Sequence, residues 1–464
     1  MKTAIRIGLF ALAAGCCASS QAAAPAAPDL GPRLAQLSQR VAGITAQAAR
    51  IEDYNEIRNL QRIYGFYYDE ALWDQVLALF ADDATLEVGQ HGVHVGRDSI
   101  RRYLLGLTGG RTGLSPGVLS IQTQLSPVIT LAPDGRTAQG RWRVLIQDAE
   151  YGSSANWGSG VYENSYVKQD GAWKISRLKL YVRFHVPYDK GWTAADATLN
   201  ARYGRSTARA DRASTQRYGT WSEHFIAPMH FAGEAPGSYR LSPSPAPRAT
   251  VTDAAPAADA PPLTAAALEA QVRALELKLA RLSAVDEVEN LQSAYGYYAD
   301  MSMQDATSAL FTANATLEIL GRGVFLGRDR IYEYMRRLGA PGDGRLFTHM
   351  QLQPVITVSP DGTRANVRAR LFEMFGIQGN QAQWAEGTYE NSFVLDSDGR
   401  WKYQGLIGYQ TFYTPYEQGW GKTSNPLMDY FPGYPSDLPH SVEYQPFPAV
   451  FVPPFHYRNP VSGQ

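Results

Sequence analysis

The chain has 464 residues, enough for two or three domains, and its 44% apolar content supports ordinary hydrophobic cores. Its 43 basic and 44 acidic residues are spread without blocks and leave a net charge of −1. That excludes the electrostatic footprint of a nucleic-acid-binding or anionic-membrane-binding protein and leaves a small neutral or weakly charged partner.

The N-terminus, "MKTAIRIGLFALAAGCCASSQAAAP", places Lys2 and Arg6 before an apolar run from Ile7 and then a stretch of small residues. This is the layout of a secretory signal peptide over residues 1–22, with Ser20 and Ala22 at the small positions before the cut. The expectation is an exported protein, periplasmic or secreted, without a transmembrane anchor after processing, because the apolar run is too short to span a bilayer. "LAAGC" at Leu12 to Cys16 resembles a lipoprotein box with Ala13 where Leu is usual, so anchoring at Cys16 is the alternative. Cys16 and Cys17 are the two cysteines. A chain cut after Ala22 has neither, which excludes disulfides, thiolate catalysis and cysteine-based zinc sites.

Residues 30–55 form a heptad segment in which Leu30, Leu34, Leu37, Val41, Ile44, Ala48 and Ile51 step by four and three. A second, over 263–286, repeats the pattern with Leu268, Val272, Leu275, Leu279 and Leu282. Each either lengthens the first helix of the domain behind it, or the two pair as an intramolecular or dimerising coiled coil.

Two long segments, 56–192 and 287–420, are copies of one another. "LQRIYGFYYD" from Leu60 returns as "LQSAYGYYAD" from Leu291, "QLSPVITLAPDGRTAQGRWR" from Gln124 as "QLQPVITVSPDGTRANVRAR" from Gln351, and "YENSYV" from Tyr162 as "YENSFV" from Tyr389. A repeat of this length is a duplicated domain. In each copy the first half has helical periodicity, with Leu60, Ile63, Tyr64 and Tyr67 on one face, and the second half reads as β runs around Pro-Asp-Gly and Asp-Gly turns. Helices followed by an antiparallel meander give an α+β class with helices packed on one face of a curved sheet. A tail, 193–241, follows the first copy, and a Pro/Ala-rich linker, 242–262, separates it from the second, which ends in a C-terminal tail, 421–464. "HFIAPMHF" from His224 recurs as "VFVPPFHY" from Val450, so each tail is expected to fold back over a domain.

Together the "YGYYAD" helix, "ALFTANATLEI", "GRDRI", "THMQL", the Pro-Asp-Gly hairpin and "GTYENSFVLDSDGRWKY" resemble the SnoaL-like branch of the nuclear transport factor 2-like superfamily. The resemblance implies two tandem cone-shaped domains, each with helices on a strongly curved antiparallel sheet around an apolar pocket. It also implies an intramolecular pseudo-dimer, with a homo-oligomer as an extension. Within that superfamily the scytalone dehydratases use an Asp and His pair, which falls here on Asp300 and His349, the catalytic candidates. An imidazole that titrates near neutral pH, with its tautomer fixed by a carboxylate, suits proton removal and return. Gln122 replaces His349 in the first copy although Asp69 is retained, so that copy lacks the dyad. Ala299 stands where those dehydratases carry a tyrosine, leaving Tyr295 and Tyr298 to face inward. The candidate ligand contacts are Tyr295, Tyr298, Glu318 and Gln351, with Tyr64, Asp69 and Gln122 in the first copy. Asp69 and Asp300 are also candidates for pinning the helix end, without chemistry. The functional expectation is a lyase, dehydratase or isomerase for a small hydrophobic or aromatic molecule, needing no metal and no organic cofactor. The alternative is a non-catalytic tandem binding or interaction protein.

Overall fold

The structure, a computed structural model, describes residues 31–194, 203–204, 206–231, 264–319, 321–339, 342–427 and 431–464. The expected signal peptide, 1–22, and linker, 242–262, lie outside the described residues. No helix among them is long and apolar enough to cross a membrane.

Each copy opens on one long helix, α1 (Gly31–Asp69) and α4 (Ala265–Asp300), so each heptad segment runs unbroken into its domain. The two helices also touch side by side. Lys278 pairs with Glu52, and Arg58 and Arg62 reach Glu289 at 3.2 and 3.1 Å. Leu37, Ile44, Ile51 and Leu279 of the heptad seams stay exposed, so this pairing runs through ion pairs and leaves much of the apolar seam in solvent.

After α1 come α2 (Trp73–Ala78), β1 (Phe80–Val88), β2 (Val93–Val95), α3 (Gly96–Leu107) and four long strands, β3 (Val118–Leu131), β4 (Thr137–Glu150), β5 (Ser154–Gln169) and β6 (Ala172–Pro187). The second domain repeats this with α5 (Gln304–Ala309), β7 (Phe311–Ile319), β8 (Val324–Leu326), α6 (Arg328–Arg337), β9 (Arg345–Val358), β10 (Arg364–Ile377), β11 (Gln381–Leu395) and β12 (Trp401–Pro415). The two sheets are separate, ordered β2-β1-β6-β5-β4-β3 and β8-β7-β12-β11-β10-β9. One feature departs from the expected antiparallel sheets: β1 pairs with β6, and β7 with β12, in parallel. A meander of four strands ends with β6 running the same way as β1, which lies beside it. Periodicity within strands carries no information about that closing pair.

The repeated glycine and aspartate of the first motif have a common cause. A Cβ on Gly65 would stand 2.5 Å from Gln353 Nε2 and 2.9 Å from Gln124 Cγ, and one on Gly296 would stand 2.7 Å from the His349 carbonyl oxygen. Each helix therefore lies on the first long strand of its sheet at a distance that only glycine permits, although glycine inside a helix costs about 1 kcal/mol relative to alanine. One turn further on, Asp69 accepts the Gln122 N–H at 2.8 Å and Asp300 accepts the His349 N–H at 2.6 Å. Beneath the helix, Gln61, Gln124, Asn164 and Tyr166 form a buried hydrogen-bonded belt; Gln292, Gln351 and Asn391 repeat it at matching positions, and Tyr403 of β12 supplies the hydroxyl because Phe393 stands where the first copy has Tyr166.

The domains meet asymmetrically, on the outer face of the second sheet. Buried Arg370 of β10 forks between Glu386, at 2.5 Å, and Asp69 at the end of α1. Gln353, on a strand bulge at φ 53°, donates to the Arg62 carbonyl and accepts from the Gln124 N–H, both at 2.8 Å. The counterparts in the first sheet are Arg143, which is exposed, and Ser126. Burial alone would lower the Arg370 pKa, but Asp69 and Glu386 together outweigh it and hold the guanidinium charged. Replacing Arg370 by Ala strands two buried carboxylates and is expected to cost about 3–5 kcal/mol. Arg143→Ala, at the matching exposed position, is expected to fall within about 0.5 kcal/mol of wild type. Urea unfolding of the two variants checks the contrast, and equal losses would show that Arg370 does not hold the domains together.

Candidate active site

The second domain has a half-open cavity of about 220 Å³. Its wall is built from the inner faces of β9, β10, β11 and β12, the C-terminal part of α4, α6 and the tail, and it includes Tyr295, Tyr334, His349, Glu373, Tyr389 and Tyr413. Alternation along β10 turns Leu371, Glu373 and Phe375 toward the cavity. β9 pairs with it so that His349 stands directly opposite Glu373.

The His349 ring lies between two carboxylates. Nδ1 is 3.2 Å from Asp300 Oδ1, the atom that also holds the His349 backbone N–H, and Nε2 is 3.8 Å from Glu373 Oε1. Phe347 packs edge-on against the ring at 4.1 Å between centroids. Burial alone would lower the imidazole pKa, but Glu373 and Asp300 outweigh it and hold the ring above its ordinary 6.5. Burial pushes the Glu373 carboxyl up, opposed by His349 and Arg322. The imidazole and Glu373 thus compete for a proton in one small space. Burial also raises Tyr295, Tyr389 and Tyr413, so their hydroxyls are neutral donors at physiological pH. Arg322 and Arg345 complete the polar lining. Arg322 donates to the Tyr334 hydroxyl at 2.8 Å and Arg345 to the Leu338 carbonyl.

Of the expected ligand contacts in this domain, Tyr295 is in the wall, whereas Tyr298, Glu318 and Gln351 are outside the lining. Tyr298 is half-buried. Glu318 is on β7 and accepts from the Ser441 N–H and hydroxyl of the tail, both at 2.8 Å. Gln351 belongs to the belt under α4, accepting from Gln292 at 2.5 Å. Period-two alternation left the facing of the "TLE" strand open, and the tail decides it.

In the first domain the equivalent interior is filled. Tyr203 from the tail is buried there, accepting a hydrogen bond from Gln122 Nε2 at 2.7 Å, while Gln122 Oε1 accepts from the Tyr162 hydroxyl. Tyr64 packs among Tyr68, Phe80 and Tyr162. Asp69 is committed to the Gln122 N–H and to Arg370, so both of its oxygens serve the framework. Ile146 occupies the position opposite Gln122 that Glu373 has opposite His349.

Residues 49–179 and 280–406 each match the family model described as the SnoaL-like domain, and together they cover more than half of the chain. The chain belongs to the SnoaL-like family. Similar solved structures each span one domain's length. A candidate scytalone dehydratase from Novosphingobium aromaticivorans is 21% identical over 29% of this chain and 89% of that one, with a TM-score of 0.27. A hexachlorocyclohexane dehydrochlorinase from Novosphingobium barchaimii is 20% identical over 30% and 92%, with a TM-score of 0.27. A nuclear transport factor 2-like protein with a cystatin-like fold from Novosphingobium aromaticivorans is 21% identical over 31% and 88%, with a TM-score of 0.22. No curated protein matches the chain.

Within the second SnoaL-like domain, sequence reasoning missed Glu373, Arg322 and Arg345. Glu373 had a usable signal, since it interrupts an apolar face between Leu371 and Phe375. The two arginines sit beside turns, where no periodicity assigns a facing. His349 is expected to titrate above 6.5 by imidazole NMR, and Glu373→Gln to lower that midpoint, because the remaining Asp300 contact then opposes burial alone. A raised folded-state pKa contributes stability that is complete below pH 6.5 and is lost as pH rises through the folded midpoint. The stability difference between wild type and His349→Gln should shrink over that window. A midpoint unmoved by Glu373→Gln would show that the two groups are not coupled.

Proposed function

We propose that this is an exported, cofactor-independent lyase of the dehydratase type, working in its second domain by acid–base catalysis on a small aromatic or hydrophobic carbonyl compound. The observation that carries the reading is the placement of His349 between Asp300 and Glu373 in the wall of a small cavity rich in tyrosine. Asp300 accepts Nδ1–H and so leaves the Nε2 lone pair facing the cavity as the base. Nε2 removes a proton from the carbon next to the carbonyl. The electron pair left behind forms the carbon–carbon double bond as the β-hydroxyl departs, and that hydroxyl takes the proton back from the imidazolium and leaves as water. The neutral tyrosine hydroxyls and Arg322 supply donors for the carbonyl oxygen, where negative charge grows. A cavity of about 220 Å³ suits a molecule with one aromatic ring and a short side chain.

The first domain is read as a scaffold. Its interior holds Tyr203 where a substrate would sit, and its Asp69 is bound to Arg370. Asp69→Asn, which sequence symmetry suggests as a harmless control, therefore weakens the domain interface and is not one.

The test uses 4-hydroxy-4-phenylbutan-2-one, whose dehydration to the conjugated enone is followed by ultraviolet absorbance. Wild type is expected to accelerate it, and His349→Gln to lose about 10²- to 10⁴-fold of that rate. Tyr203→Phe in the first domain is expected to leave the rate unchanged. Running the reaction in D₂O extends the test to carbonyl compounds that exchange without eliminating. Neither elimination nor deuterium uptake by a panel of aryl ketones, or uptake that survives His349→Gln, would refute the assignment.

A further inference from the structure

The outer faces of the two sheets differ at one constellation of three positions. In the second domain Arg370 is neutralised by Glu386 and by Asp69 of the first domain, and Thr411 lies nearby at a β12 bulge. The same three positions of the first domain are Arg143, Ser159 and Arg183, the last at the matching bulge of β6. A serine stands in place of the carboxylate, a second arginine in place of the threonine, and among the described residues no aspartate docks from outside. Arg143 and Arg183 are exposed and have no ion pair or side-chain hydrogen bond among the described residues.

These two guanidiniums line a groove of about 510 Å³ between the sheet and the first tail. Trp221, Phe225, Met229 and Phe231 of the tail form its apolar side. Arg141, also in the lining, is neutralised by Glu163 at 2.6 Å and donates to the Pro228 carbonyl. Among the described residues Glu223 is the one carboxylate in the lining, so Arg143 and Arg183 give that lining a net positive charge. The twin position shows what this site accepts: Arg370 holds the carboxylate of Asp69, with the Phe66 ring 5.0 Å from its guanidinium carbon. A carboxylate carried on an apolar body therefore already occupies the equivalent place in the second domain.

We propose that the first sheet and its tail form a binding site for an amphipathic monocarboxylate, with its head group at Arg143 and Arg183 and its apolar body along Trp221, Phe225 and Met229. Guanidinium favours carboxylate through charge-assisted, often bidentate hydrogen bonds, and an apolar wall beside it raises the affinity by excluding water. The site is separate from the His349 cavity and does not depend on the activity proposed for it.

Isothermal titration of the full chain with decanoate and with 1-naphthoate tests this, with 1-decanol as the neutral control. At least one acid is expected to bind with one site per chain. Decanol should bind at least about tenfold more weakly than decanoate, and the double variant Arg143→Gln, Arg183→Gln should weaken acid binding by about tenfold or more. His349→Gln should leave acid binding unchanged. The proposal is overturned if neither acid binds at millimolar concentration, if the double variant binds as wild type does, if decanol matches decanoate, or if His349→Gln abolishes binding and so places the acid in the other cavity. Circular dichroism of the double variant, expected to match wild type because both side chains are exposed, separates lost binding from lost fold.

Discussion

In each domain the aspartate at the end of the long helix accepts the backbone N–H at the same position of the first long strand, at 2.8 Å in one copy and 2.6 Å in the other. The contact forms only because glycine, one turn earlier, lets the helix settle onto the strand. A hydrogen bond to a charged acceptor contributes about 1.5–3 kcal/mol, which exceeds the roughly 1 kcal/mol that a helical glycine costs. The pin fixes both the height of the helix on the sheet and the side chain that enters the cone beside the carboxylate. Where that side chain is His349, the same oxygen that pins the strand also orients the imidazole. Where it is Gln122, the pin is intact and an amide stands in place of the imidazole.

This separates retention of the aspartate from retention of a dyad. Asp69 has one oxygen on the pin and the other on Arg370, so it holds its own helix end and the neighbouring domain together. Its loss would uncover a buried guanidinium already shared with Glu386. No comparable demand falls on the residue opposite β4, and there the copies diverge to Gln122 with Ile146 and to His349 with Glu373. Tyr203 then fills the first cone and hydrogen-bonds Gln122, so that interior is packed by a tail residue. An open cavity with a charged wall and a filled one with a polar plug are two stable outcomes of one scaffold.

Much of this architecture was legible because it is local. Helical spacing in Leu60, Ile63 and Tyr64, the Asp-Gly turns and the doubled motifs specify two α+β units, and the family resemblance pairs Asp300 with His349, whose side chains stand 3.2 Å apart. What escaped depends on partners distant in sequence. The parallel pairing of β1 with β6 is set by the path of the whole meander. The facing of Glu318 is set by Ser441 of the tail, more than a hundred residues on. Gln351 was expected at the ligand because it is on the strand that carries His349, yet strand alternation aims it under α4, where Gln124 has the same duty in the first copy. Glu373 was the one missed polar group with a local signature, a carboxylate on an otherwise apolar face.

The tails show how a shared device leads to unequal surfaces. His230 contacts Glu163, which is paired with Arg141, and His456 contacts Glu390, which is paired with Arg368, so both tails dock on their own sheet through one repeated triad. Beyond that triad the second tail meets the first domain: Phe455 and Tyr457 pack against Tyr67, and Asn459 donates to the Gln75 carbonyl at 3.0 Å. The second sheet is thereby covered by its tail and by the end of α1 together. The contact that seats Asp69 on Arg370 has no counterpart placing Asp300 on Arg143 among the described residues. The first sheet packs Leu119, Ile121 and Trp157 against Phe372, Phe412 and Trp420 of the second domain, but none of these contacts reaches Arg143, and the guanidinium that the second domain neutralises with protein is left facing a groove.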